Sequence, residues 1–172
     1  MPHVFEPAAS GRSKCRGCGR ALEKGEVRFG EHLPNPFADG AEMTLWFHPL
    51  CAAYKRPEAI LEAIDQAPVG DREMLEKAAR ASVAQQRVQR IDGIERARGQ
   101  ATCRHCREPI PRGEWRIRLV FFEEGRFNPS GFIHVKCAPG YFEGAAIAER
   151  ALHFSADLSD AERAELGKAL AT

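Results

Sequence analysis

Two stretches decide the fold: "CRGCGRALEKGEVRFG" at residues 15–30 and "CRHCREPIPRGEWRIR" at residues 103–118. Each places two cysteines three positions apart, then a Gly-Glu pair, then an arginine two residues beyond the glutamate. A histidine and a third cysteine follow each stretch. Cys15, Cys18, His48 and Cys51 read C-x2-C, 29 residues, H-x2-C. Cys103, Cys106, His134 and Cys137 read C-x2-C, 27 residues, H-x2-C. All six cysteines are used, in the same order twice, with an offset of 88 residues at the first cysteine. The chain is a tandem duplication.

Three thiolates and one imidazole suit a tetrahedral zinc ion. A C-x2-C turn supplies two sulfurs from one side, and an H-x2-C pair at a helix start supplies the other two ligands. The spacing therefore predicts two structural Cys3His zinc sites, each closed at four ligands with no position left for catalysis. Free core cysteines or disulfides would not produce two matching sets. His105, inside the second C-x2-C, reads as an exposed spare histidine, and His3 and His153 read as surface residues.

Each module repeats one plan. In "GEVRFGEHL", Val27, Phe29 and Leu33 face inward by alternation, and Arg28, Gly30 and His32 face outward. "PNPFADG" turns the chain, "EMTLWFH" returns as a strand, and Pro49 opens a helix that carries Cys51 and is interrupted near Pro57. In the second module Trp115, Ile117, Leu119 and Phe121 share one face, with Arg116 and Arg118 on the other. "EEGRFNPSG" is its turn and "FIH" a short return strand. Modules of this size rarely fold on apolar burial alone, so metal is part of the folding.

Between them, "GDREMLEKAARASVAQQRVQRIDGIERA" reads as a connecting helix capped by Asp71, with Met74, Leu75, Ala78, Val83, Val88 and Ile91 as an imperfect stripe and Gly93 as its weak point. The tail holds a helix over "GAAIAERAL" and another behind a Ser159–Glu162 capping box. The expected class is α+β: two small zinc-stabilised modules of short antiparallel strands plus a helix, joined by a helical linker. The expected divisions are a first finger at 1–60, the linker at 61–97, a second finger at 98–143 and a C-terminal helical segment at 144–172.

The 172 residues carry a net charge of only +1, which excludes a uniformly basic surface and confines any anion-binding face to a patch. Residues 98–143 hold eight basic side chains against five acidic ones. No apolar run is long enough for a membrane span, and no secretory signal opens the chain, so an intracellular protein with reduced cysteines is expected. No G-x-S-x-G, phosphate loop or unassigned Cys–His pair points to an enzyme.

The long gap between ligand pairs, with Ser10-Gly11-Arg12 before it, Gly25-Glu26-x-Arg28 within it and Trp46-Phe47-His48-Pro49-x-Cys51 closing it, resembles the zinc finger of poly(ADP-ribose) polymerases, a finger also found in an animal DNA ligase. The first copy matches over residues 10–55. The second, over about 98–142, departs from the pattern at Gly99-Gln100 and Phe132-Ile133. The two copies cover a little over half the chain, and the polymerase catalytic domain has no counterpart.

The resemblance implies sequence-independent binding of DNA strand breaks, nicks or ends. Carried over residue by residue, Arg12 and Arg28 match the family's phosphate grip, with Arg116 in the second finger. Phe37 and Met43 fall near its base-stacking positions, with Phe122 and Phe127 as the second finger's counterparts. The compartment would be the nucleoid or cytoplasm in a bacterium and the nucleus in a eukaryote. The competing reading is a protein-interaction adaptor, with zinc only holding the fold, serving as accessory to a catalytic repair or nuclease partner.

Overall fold

In a computed structural model, residues 1–85, 87–144 and 147–170 are described. They divide into two compact units, Met1–Ala84 with Glu123–Phe127, and Gln85–Phe122 with Asn128–Thr172. The protein is mixed α and β, with antiparallel sheets and two small zinc modules, as the duplication predicts.

In the first unit, β1 (Val4–Pro7), β2 (Val27–Pro34) and β3 (Glu42–Phe47) form an antiparallel sheet in that order. Pairing sets Phe5 opposite Phe29 and Phe29 opposite Phe47, a row of rings on the core face. Two short helices, α1 (Pro49–Lys55) and α2 (Pro57–Glu62), pack on the sheet, and α3 (Val69–Val83) packs against both of them. Proline opens both α1 and α2, where its missing N–H costs nothing, and Arg56 between them leaves the helical region at φ −131°, ψ 56°, so the break falls at Pro57. Leu22, Phe29, Phe47, Ile60 and Leu75 are fully buried together.

The face of β2 expected to look outward is covered too. Trp46 lies over it, so close to Gly30 that a Cβ there would sit 2.6 Å from the indole. On the opposite face, the side of Phe29, Glu31 is buried, 1% exposed, and the Arg56 guanidinium donates to both of its carboxylate oxygens. The period-two pattern identifies the strand, but a single aromatic on the neighbouring strand removes its solvent face.

The connecting helix also departs from expectation. It begins at Val69, with Pro68 at the cap and Asp71 inside the first turn, and it buries Leu75, Ala79 and Ser82 while Met74 and Val83 stay exposed. It ends at Val83. Arg90–Arg96 is instead a strand, β4, and Gln86 lies outside the described residues. The isoleucines pair across the sheet: Ile91 and Ile94 stand opposite Leu119 and Ile117, and the register shift between Ile91 and Gly93 returns both to the core. Gly93 is a bulge at φ 145°, with the Phe154 carbonyl where a Cβ would go.

The second unit is built on β4, β7 (Trp115–Glu123) and β8 (Arg126–His134), in that order, beside a small ribbon of β5 (Ala101–Thr102) and β6 (Pro109–Ile110). The return strand is nine residues, longer than "FIH" suggests, because the turn is tighter. Glu124 and Gly125 both take positive φ, 51° and 76°, the signature of a two-residue hairpin turn. Phe122 and Phe127 therefore sit on strands, not in a loop. Helices α4 (Ala138–Phe142), α5 (Ile147–His153) and α6 (Asp160–Leu170) complete the core, contributing Phe142, Ile147, Ala151, Leu166 and Leu170. Residues 145–146 of the expected "GAAIAERAL" helix lie outside the described residues. The capping box forms as read: the Ser159 N–H donates to Glu162 at 3.0 Å and the Glu162 N–H to Ser159 Oγ at 3.2 Å. Among the described residues no helix is long and apolar enough to cross a membrane.

The buried Glu31–Arg56 pair yields a stability prediction. Arg56→Ala strands a carboxylate in the core, and should cost about 3–5 kcal/mol in urea unfolding of the zinc-loaded protein.

Candidate metal centres and the surface around them

Both ligand sets converge. In each cluster the four ligand atoms, three Sγ and one imidazole nitrogen, lie within 4.8 Å of one another. In the first, His48 Nδ1 is 3.4 Å from Cys18 Sγ and 3.9 Å from Cys51 Sγ. In the second, His134 Nδ1 is 3.4 Å from Cys106 Sγ and 3.7 Å from Cys137 Sγ. Zinc bonds of about 2.3 Å to sulfur and 2.0–2.1 Å to nitrogen imply an S···N edge of roughly 3.6 Å, so the donors fit the ion.

Backbone geometry prepares each site. The Gly17 and His48 N–H groups both donate to Cys15 Sγ at 3.3 Å, and the His134 N–H donates to Cys103 Sγ at 3.4 Å. Such donors favour the thiolate, the form that binds metal. Three crowded thiols cannot all ionise without a cation. Hydrogen bonds from Cys15 and Cys51 hold the Cys18 thiol far down, while donating to Cys15 and Cys18 pushes Cys51 far up. At the second site burial pushes Cys103 up, but the N–H groups of Cys106, His134 and His105 outweigh it and bring it down to about 6. Cys137 rises to about 12, through burial and then hydrogen bonding to the other two thiols.

The far imidazole nitrogens are also held. His48 Nε2 faces Glu26 Oε1 at 3.6 Å, and His134 Nε2 lies 3.1 Å from the Pro109 carbonyl oxygen. Partners of this kind fix the ring orientation that presents Nδ1 to the metal. The loops correspond closely: Arg16 N–H donates to the Trp46 carbonyl at 2.9 Å, and Arg104 N–H to the Phe132 carbonyl at 2.8 Å. Gly17 leaves no room for a side chain, since a Cβ there would lie 2.8 Å from the Cys51 Cβ; its counterpart His105 lies against Gly140, where a Cβ would come 3.1 Å from the imidazole Nε2. His105 takes no part in the cluster.

Arg28 and Arg116 occupy matching positions that their outward assignment does not anticipate. The Arg28 guanidinium lies 3.5 Å over the Trp46 ring, donates from Nη1 to Ser13 Oγ at 2.9 Å and pairs through Nη2 with Glu6 Oε1 at 3.0 Å. The Arg116 guanidinium lies 3.6 Å over the Phe132 ring and pairs with Glu95 at 3.5 Å. The two residues are 8% and 7% exposed, and the Nε of each is buried without a hydrogen-bond partner. Glu6 stands opposite Arg28 across the sheet, and Glu95 opposite Arg116. The duplication therefore extends upstream of the cysteines. An acid eight or nine residues before the first cysteine of each module was the available signal, blurred by a one-residue difference in spacing.

The remaining residues named from the sequence are spread out. Arg12 is exposed beside the first metal loop. Phe37 is 70% exposed in the turn between β2 and β3. Met43 is half-buried on β3, opposite Leu33. Phe122 is half-buried at the end of β7. Phe127 belongs to the first unit, where its ring stands edge-on to Phe47 at 6.2 Å.

The family model for the "Poly(ADP-ribose) polymerase and DNA-Ligase Zn-finger region" matches residues 6–91, half of the chain. The chain belongs to this family. A poly(ADP-ribose) polymerase of Sarcophaga peregrina is 29% identical over 143 residues, covering 72% of this chain and 14% of the relative. One of Drosophila melanogaster is 26% identical over 140 residues, again 72% of this chain and 14% of the relative. Poly [ADP-ribose] polymerase 1 of Oryza sativa subsp. japonica is 29% identical over 143 residues, covering 77% of this chain and 14% of the relative. The chain thus spans about 14% of the length of these polymerases. The family match and the two Cys3His clusters together assign two structural zinc ions to tandem poly(ADP-ribose) polymerase-type fingers.

Elemental analysis should accordingly return two zinc ions per chain, and Cys106→Ser should reduce the value to one. Removing zinc with a chelator should unfold both units, because metal binding is part of their folding free energy. A single zinc in the unsubstituted chain would contradict the assignment.

Proposed function

We propose that the chain is a non-enzymatic, zinc-dependent DNA-binding protein that recognises strand breaks without reading sequence. The observation that carries this reading is Phe37. A ring 70% exposed at a turn tip, beside a zinc-fixed sheet, is a surface on which a base can stack. Family membership gives it a context, since the finger class is named for poly(ADP-ribose) polymerases and DNA ligases. An intact duplex presents no free base face, so a stacking ring favours ends and nicks. Arg12, exposed next to the same module's metal loop, supplies phosphate affinity, and Met43, Phe122 and Phe127 flank the strand turns as secondary candidates.

In this reading chemistry at the break belongs to a catalytic partner, and the protein acts where DNA is kept, the nucleoid or the nucleus. One observation favours the adaptor reading instead. Arg28 and Arg116, the strand arginines of the phosphate grip, are both buried against internal acids, which lowers the cationic surface available to DNA.

Competition binding separates the two. A nicked or blunt-ended duplex should compete far better than closed circular DNA of equal length. Phe37→Ala should cost on the order of 1–3 kcal/mol in affinity for the nick, with zinc content unchanged. Arg12→Ala should flatten the salt slope by about one unit. Equal competition by closed circles excludes the stacking reading, and no measurable DNA binding favours the adaptor.

A further inference from the structure

Glu6 and Glu95 have no assigned part in the reading above, yet each holds the arginine that the family pattern gives to phosphate. In the first module the Arg28 guanidinium is engaged through its face and both terminal nitrogens. Trp46 covers one face, Ser13 takes Nη1, Glu6 takes Nη2, and Nε is buried. A carboxylate and a phosphate present similar paired oxygens to a guanidinium fork, so they compete for the same donors. We propose that Glu6 occupies, in the free protein, the position that a nucleic-acid phosphate takes on Arg28, so that binding exchanges one anion for another. The proposal rests on the DNA-binding reading and names a regulator of that site.

The two modules differ in how readily this exchange can occur. Glu6 lies on the edge strand β1, its side chain is 43% exposed, and Arg28 is its only ion-pair partner among the described residues. Its carboxylate is already partly in water and can swing out there when an incoming anion takes its place on Arg28. Glu95 is 19% exposed and is shared among Arg116 at 3.5 Å, Arg118 at 3.5 Å and Arg98 at 4.0 Å. Arg118 is further bound to Asp92 at 2.9 Å. Freeing Arg116 would break into a network of three arginines and two acids, so module two stays closed and module one exchanges. This asymmetry comes from the partners of the acids, not from the number of basic residues, which is higher around the second module.

The test uses the full zinc-loaded chain on a nicked duplex and on closed circular DNA, with two zinc ions per chain and an unchanged melting curve required of each variant. Glu6→Gln keeps a hydrogen-bonding group but removes the competing charge. It should tighten binding to both DNAs roughly two- to fivefold at low salt, the range of a partly exposed ion pair, and steepen the salt slope by about one unit. Glu23→Gln makes the same charge change in the same module without touching Arg28, and Glu95→Gln makes it in module two. Both should give a smaller gain than Glu6→Gln. In an Arg28→Gln background the Glu6→Gln gain should vanish. If that background fails to hold two zinc ions, the Glu23→Gln comparison decides by itself. No gain from Glu6→Gln, a gain matched by Glu23→Gln, or a gain that persists without Arg28 overturns the exchange. A Glu6→Gln gain on both DNAs without preference for the nick supports the exchange and overturns break recognition.

Discussion

Four ligand atoms within 4.8 Å, drawn from a tight turn and from a helix start some thirty residues later, are the constraint on which each module depends. Three sulfurs and an imidazole so close repel or share protons unless a dication joins them. Once joined, they tie the first hairpin to the third strand and its helix, closing a loop that a core of a few phenylalanines could not close alone. The parallel connection from Arg16 to Trp46 and from Arg104 to Phe132 follows from that tie, since the metal turn must lie against the strand that ends in the histidine.

With the turn fixed on the third strand, the aromatic two residues before each histidine is fixed as well. Trp46 and Phe132 project over the middle strand, and a guanidinium of that strand lies along each ring. That placement desolvates a guanidinium, and an acid from the edge strand compensates it. The zinc ligands, the aromatic, the arginine and the acid therefore form one dependent series, repeated in both modules. Its final member differs: Glu6 serves one arginine, whereas Glu95 serves three.

The second unit shows how a duplicated module diverges without losing its frame. Gly17 of the first module corresponds to His105 of the second, whose imidazole lies against Gly140. Where the first unit packs α3 against its short helices, the second uses α5 and α6 from the C-terminal segment to seal the sheet. Ile147, Ala151, Leu166 and Leu170 thus belong to the second core.

The zinc ligands, the duplication, the break at Pro57 and the Ser159 capping box were all legible in the sequence, because each depends on residue type at fixed local spacing. Such signals survive without knowledge of what lies across space. Three features required the tertiary structure. Arg90–Arg96 is a strand because Ile91 and Ile94 find Ile117 and Leu119, which a helical propensity sum over the linker cannot register. Phe122 and Phe127 leave the turn because Glu124 adopts a positive φ and shortens it to two residues. Arg28 and Arg116 are buried, although alternation points them outward, because a ring from the neighbouring strand covers them and an acid opposite neutralises them. Alternation along one strand tells which residues share a face. Only the neighbouring strand and what it carries decide whether that face meets water.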